Sequence, residues 1–402
     1  MARLATTGFE WNDTSNLIGG PDGDVGSSGA TIDNATFRSG AFSGKVDVTV
    51  NGNARIVFFS FTGSTTTTYF ARAYVNFSSL GTNSSTPTAV LAEASVKTGI
   101  CLVNSSLQWL IPGAGSATGA TFTPSTGRWY RLEYSYQSSS GAWEWRVDAN
   151  TIATGTNTSA TAPTDFLVGP ALVRSGASFV AYFDDIALND STGTSQNSFP
   201  GEGKIVLLKP VSLNANGGSW TDDNSASTSA ALTDAIDNSP PNGIANTTSG
   251  GGNHMVRNSA ANTNLDMNLT DYATAGLVSG DVVNVLIPQC VVGAPVVTGA
   301  KTGAFGILSN PTIAQRTFTG GASAAANYWR GAAAGTYPSN WGWEVGTTTY
   351  SQSVTVGTQP VARLAITGGT AARIALCCDL GMYVDYKPAT NFVPVPTHLP
   401  FV

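Results

Sequence analysis

The sequence predicts an all-β protein built as two jelly-roll-like β-sandwich domains in tandem, and three observations predict it. Apolar residues recur with a period of two along almost every promising stretch, as a half-buried strand requires. Gly, Thr, Asn and Val interrupt every candidate helical window, so no 3-4-3 apolar pattern survives for three turns. A polar Ser/Thr/Gly/Asn stretch followed by Pro200-Gly201 separates two sets of such strands.

The elements follow in chain order. Near the start, "TTGFEWND" wedges Glu10 between Phe9 and Trp11. In "YFARAYVNF", Tyr69, Ala71, Ala73, Val75 and Phe77 fall on one face and Arg72 and Asn76 on the other. The segment "GRWYRLEYSYQSSSGAWEWRVDANTIA" reads as a long antiparallel hairpin: Tyr130, Leu132, Tyr134 and Tyr136 share a face, a Ser-Ser-Ser-Gly turn follows, and Trp143, Trp145 and Val147 then alternate with Glu144, Arg146 and Asp148. "FVAYFDDIALND" closes the first domain, residues 1–190, and alternation places Asp185 on the core face with Phe179 and Phe183. Residues 191–204 read as a linker. The second domain, 205–386, has the strands "DVVNVLIPQCVV", "ARLAITGG" and "ARIALCCDLGMYVDY" and an Asn/Ser/Gly-rich stretch over about 213–262. Residues 387–402 carry four prolines, cannot join a central strand, and read as an extended C-terminal arm.

Composition excludes several function classes. The 402 residues can bury a sizeable core. Only 11% are charged and the net charge is −6, with no Lys/Arg stripe of the kind that displaces counterions from nucleic acid. The opening residues lack the apolar run of a secretory signal, and no stretch approaches the ~20 apolar residues of a membrane helix. The expectation is a product made in the cytoplasm with neither nucleic acid nor membrane as partner. Cys101, Cys290, Cys377 and Cys378 show no CxxC spacing and read as reduced small hydrophobes.

An enzyme is not expected. The two histidines, His254 in a Gly/Asn-rich loop and His398 in the arm, have no partner at metal or triad spacing. Glu133 and Glu144 alternate with apolar hairpin residues and suit a solvated face as well as a glycosidase pair. "SGGGN" lacks the Lys and the helix of a phosphate loop.

The carboxylates inside apolar strands are the candidate site, because an ionised Asp stripped of water costs several kcal/mol unless it is paired. First and last strands of a sandwich are commonly neighbours, so Glu10 and Asp185 are expected close together. Two outcomes are open: each accepts backbone N–H bonds or pairs with an arginine such as Arg38 or Arg174, or the two share a structural calcium ion, which prefers oxygen ligands.

The stretches "GFE", "RSGAFSGKVDV" at 38–48, "GRWYRLEYSY" at 127–136, the Trp-rich strand after it and "YFDDIALND" at 182–190 resemble, in their order, the concanavalin-A-like, laminin-G-like jelly rolls of tailed-bacteriophage virion proteins. The order is also similar to carbohydrate-binding modules in which a first-strand Glu and a last-strand Asp help bind a structural calcium, which implies Glu10 and Asp185 as its ligands. Beyond the linker, "SFPGEGKIVLLKP", Trp220, "ALTDAIDNSPPNG" and "NLDMNLTDY" resemble the second β domain that follows such a jelly roll. "YWRGAAAGTYPSNWGWEVGTTTYSQ" departs from that pattern.

The resemblance implies a non-enzymatic structural protein on the virion exterior, a capsid decoration or minor tail protein. Its partners would be other virion proteins and copies of itself, in a homo-oligomer such as a trimer, with one end of the chain, "MARLATTG" or "NFVPVPTHLPFV", laid across a neighbour. No cofactor is required beyond the calcium already named. The alternative is an adhesin for host-surface glycans, with Trp109, Trp129 and Trp143 as candidate sugar-stacking residues, although core packing explains those tryptophans more simply.

Overall fold

The computed structural model describes the chain except residues 1–2, 11, 13–23, 26–28, 50–53, 62, 82–84, 114, 171–177, 193–195, 219, 223–226, 235, 237–255, 259–262, 279, 294–300, 308–315, 321–328, 331–342, 345–359, 369–374 and 390–402. Arg174, both histidines and the Pro-rich arm beyond Ala389 therefore lie outside the described residues. What is described is β-structure throughout, apart from turns, connections and one short helix, Ser229–Asp234.

Two sheets form the first sandwich. One runs Asn150–Thr156, Ala142–Val147, Trp129–Tyr136, Tyr69–Ser79, Val180–Asp190, Ser43–Asp47, Ala30–Asp33, with Arg3–Thr7 as an eighth strand on Val180–Asp190. The other has seven strands, ordered Ala117–Phe122, Ser106–Leu110, Thr98–Val103, Thr88–Glu93, Asp165–Val168, Ile56–Ser60, Asp24–Val25. Alternation decides which residues lie between them: Ala71, Ala73, Val75 and Phe77 from one strand meet Leu132, Tyr134, Trp143 and Trp145 from the hairpin. The hairpin register sets Tyr134 opposite Trp145 and Tyr136 opposite Trp143. Each large apolar side chain buried here contributes about 1.5–3 kcal/mol.

The first and last strands of this sandwich are direct neighbours, with Thr7 opposite Ile186. Of the two ends expected to reach onto another subunit, the N-terminal one is corrected over Arg3–Thr7, which is buried and paired along one side with Val180–Asp190 of its own sheet; "NFVPVPTHLPFV" lies outside the described residues.

The second set of strands forms a seven-stranded sheet around the long pair Val282–Gly293 and Ala375–Lys387, and a five-stranded sheet that includes Thr263–Leu269 and Val361–Gly368. Trp220, Leu265, Met267, Leu364, Met382 and Val384 pack between them.

The connection is not a loose linker. Asn189 donates to the Ser198 carbonyl at 2.8 Å, and Phe199 packs edge-on against Phe70 with the Arg146 guanidinium 3.7 Å above its ring. Gly201 N–H donates to Glu133 at 2.7 Å. The next strand, Lys204–Leu208, then pairs with Ala375–Lys387. Residues 196–204 are thus strapped across the outer, polar face of the eight-stranded sheet, with the second domain behind them.

Candidate functional site

The outer face of the eight-stranded sheet holds two adjacent clusters of buried charge, each assembled by local chain geometry. The first joins the two ends of the described chain. Arg3, on the first strand, donates to Asp385, on the last, at 2.5 Å; Arg72 reaches the other carboxylate oxygen at 3.3 Å. All three side chains are 0% exposed. The remaining guanidinium donors are also used: Arg3 donates to Asn189 at 2.6 Å and Thr6 at 2.9 Å, and Arg72 donates to the carbonyls of Asp185 and Gly201. Gly203 lies against this clamp, where a Cβ would collide with Arg72 and Asp385, so the connector approaches only because that residue has no side chain. Burial pushes the Asp385 carboxyl up, but Arg72 and Arg3 outweigh it and hold the group below the usual carboxylate range.

The second cluster answers the question of the strand carboxylates. Simple alternation fails at Asp184-Asp185, because a bulge shifts the pairing with Tyr69–Ser79 between Asp184 and Ala187, and Asp185 adopts φ 51°. Asp185 is therefore not on the core face with Phe179 and Phe183, as alternation predicts. It accepts from Arg38, from the Ser39 hydroxyl at 2.5 Å and from Ile205 N–H at 2.5 Å. Asp184 accepts the amides of Arg38 at 2.7 Å, Ser39 at 3.1 Å and Asp185 at 2.7 Å. Glu10, turned inward after Phe9 at φ 62°, accepts from Ala41 N–H at 2.8 Å and Phe42 N–H at 3.4 Å, while its own N–H donates to Tyr383 at 3.1 Å. Arg38 also stacks 3.4 Å above the Tyr74 ring.

The amides of Arg38, Ser39, Ala41 and Phe42 are thus held by the carboxylates of Asp184, in the last strand of the sandwich, and Glu10, three residues past the first strand. Gly40, at φ 66°, makes room for this: a Cβ there would overlap the Glu10 carboxylate. Burial, then Asp185, then Glu10 push the Asp184 carboxyl well above its ordinary range, against the lowering effect of the Arg38 and Ser39 amides.

Glu10 and Asp185, the candidate calcium ligands, serve this same loop with different partners. Asp184, rather than Asp185, is the carboxylate that takes the loop amides beside Glu10. No group of three or more metal-ligating side chains occurs among the described residues. The oxygens of the cluster accept from N–H groups, the Ser39 hydroxyl and the Arg38 guanidinium.

Two of the three candidate sugar-stacking residues are enclosed in the core. Trp109 and Trp143 are buried and stacked on each other at 4.9 Å between ring centroids, so neither offers a face to an external ligand. Trp129 alone of the three is half-buried. Glu144 is bound to Arg146 at 2.7 Å and Glu133 to Arg131 at 3.1 Å. Arg3 and Asp385 went unrecognised in the sequence, although each carries the same signal as Glu10, a lone charge within an apolar strand.

No family model and no curated protein matches the sequence. Among solved structures, the cellulose-induced protein Cip1 is similar with a TM-score of 0.35 and 17% identity, over 49% of this chain and 99% of that one. Domain 4 of AbnA, a GH43 extracellular arabinanase from Geobacillus stearothermophilus in complex with arabinotriose, gives 0.32 and 19%, over 47% and 93%. Botulinum neurotoxin type C, whose cell entry is dependent upon interaction with two ganglioside molecules, gives 0.33 and 8%, over 71% and 73%. These are distant likenesses.

Proposed function

We propose that the chain is a non-enzymatic structural protein that acts as a rigid two-domain block within a larger assembly, on the exterior of a tailed-phage virion as a capsid decoration or minor tail protein. The observation that supports a structural role is the fate of the polar sheet face. A sandwich that binds a soluble ligand on that face must leave it open, whereas here the connector and the second domain cover it and Arg3, Arg72 and Asp385 are sealed within the contact. Covering a face with the chain's own second domain fixes the angle between the domains, which a building block needs and a hinged enzyme does not. The virion placement rests on the sequence resemblance.

The test is the position of the protein in purified particles imaged by electron microscopy, together with binding of the purified chain to particles stripped of it. Density repeating over the capsid or tail wall and stoichiometric rebinding are expected. A chain that binds glycans saturably and has no affinity for shells would overturn the assignment.

A glycan-binding reading has one observation in its favour. Phe37 is 41% exposed at the start of the carboxylate-pinned loop, where a fixed aromatic edge could meet a sugar ring. Phe37→Ala would then abolish retention on a glycan array without lowering the melting temperature.

A further inference from the structure

The two domains are joined by charge more than by apolar contact. Among the described residues their apolar cores are separate clusters, one inside each sandwich, and no sheet is shared between them. The buried apolar side chains at the contact are Ile205, Val285 and Tyr383, with Leu207 half-buried against them. Ile205 lies against Gly8, where a Cβ would meet its carbonyl oxygen at 3.0 Å. The ion pairs that cross between described residues of the two domains both end on Asp385.

Arg3 and Arg72 reach Asp385 from two strands of the first domain, and all three side chains are 0% exposed. An arginine keeps its charge throughout the range in which proteins fold, whereas a carboxylate loses its charge in acid. With Asp385 neutral, two guanidinium charges are sealed from water among neutral groups: Asn189, Thr6 and the carbonyls of Asp185 and Gly201. Such a burial is costly, and separating the domains returns both charges to water.

The other groups around the clamp do not take over its role. From Trp129–Tyr136, Glu133 is held by the Gly201 amide at 2.7 Å and by Arg131 at 3.1 Å. From Val180–Asp190, Asp185 is held by Arg38, Ser39 and the Ile205 amide, while Asp184 and Glu10 serve the amides of residues 38–42. Tyr74 accepts from Gly203 N–H at 3.5 Å and Tyr383 from Glu10 N–H at 3.1 Å. Burial pushes the Tyr386 phenol up, so it stays neutral. The connector adds Glu202 and Lys204, half-buried and opposite in charge.

We infer that Asp385 is an acid-sensitive latch: when its carboxylate is neutralised, the second domain swings off the sheet face of the first with both sandwiches still folded. Each sandwich keeps its own core and its own strand ladders, so opening breaks the contact and leaves the folds intact. The connector, residues 196–204, is the hinge. The inference is independent of the virion reading, and at neutral pH the block is closed, as that reading needs.

The test is small-angle X-ray scattering of the full chain from neutral pH down to about pH 3, with near-ultraviolet circular dichroism of the buried Trp109, Trp145 and Trp220 as the check on folding. A compact chain of 402 residues has a radius of gyration of about 21 Å and an unfolded one of about 70 Å. A reversible rise of several ångström below about pH 4, with the tryptophan signal retained, is expected. Asp385→Asn should open the molecule already at neutral pH and raise the rate of proteolytic cleavage within residues 196–204 by about ten-fold or more. If that variant fails to fold, the combined replacement Arg3→Met, Arg72→Met and Asp385→Leu decides the matter: with no charge to lose, it should stay closed at the pH that opens the natural chain. A radius unchanged in acid, a single step to the unfolded value with loss of the tryptophan signal, or a triple variant that opens at the same pH as the natural chain would overturn the inference. So would a folded Asp385→Asn chain that stays closed at neutral pH.

Discussion

The Arg3–Asp385–Arg72 clamp and the Glu10–Asp184–Asp185–Arg38 loop lie side by side on the same sheet face, and burial has opposite consequences in them. In the clamp one carboxylate meets two guanidinium groups, and its pKa falls. In the loop three carboxylates share one guanidinium and several amides, and Asp184 rises. Desolvation is the first influence on both carboxyls, so the partners decide the sign. A full opposite charge offsets the loss of water; amide dipoles around crowded like charges do not offset it fully.

The largest expected effect lies in the clamp. Asp385→Ala strands two buried guanidinium groups and should cost about 3–5 kcal/mol, read as a lowered denaturation midpoint. Replacing Arg3, Arg72 and Asp385 together by Met, Met and Leu should recover most of that loss. If the single variant cost under ~1 kcal/mol, the clamp would not be holding the domains together.

Gly40→Ala tests the loop. It forces a side chain into the Glu10 carboxylate at a left-handed backbone position, and a loss of about 1–3 kcal/mol is expected. Glu10→Ala in the same background should relieve part of it, since the overlap is gone. A neutral Gly40→Ala would mean that the loop is not pinned as described.

The pH dependence separates the two regions more finely. Asp385 is held low, so its stabilisation is present above about pH 4 and is lost as the pH falls. Asp184 is raised, so from about pH 4 upward the folded state keeps a proton that the unfolded chain releases, and stability declines as the pH climbs toward the raised pKa. Urea titrations across acid and neutral pH should show Asp385→Asn flattening the acid limb and Asp184→Asn the opposite one. Interchanged effects would reverse the assignments.

The smallest effect is expected from a chelator. With the loop carboxylates satisfied by amides, Arg38 and Ser39, it should leave the melting temperature unchanged. A fall of several degrees, restored by calcium, would show that a cation shares the loop's charge.

Much of this architecture was legible in the sequence. The period-two pattern of Tyr69–Phe77 and of the Tyr130–Val147 hairpin determined which residues face the core, because one side of each strand must leave water. The apolar surroundings of Glu10, Asp184 and Asp185 marked them as residues that need partners. Which partners they took was not legible, since a bulge with positive φ at Asp185 overrides alternation and local sequence carries no direct sign of it. Only the tertiary structure could bring Arg3 to Asp385, 382 positions away. Only it could turn an apparent linker into the cover of a sheet, because long-range pairing of charges depends on how whole domains dock, while alternation depends on neighbours along one strand.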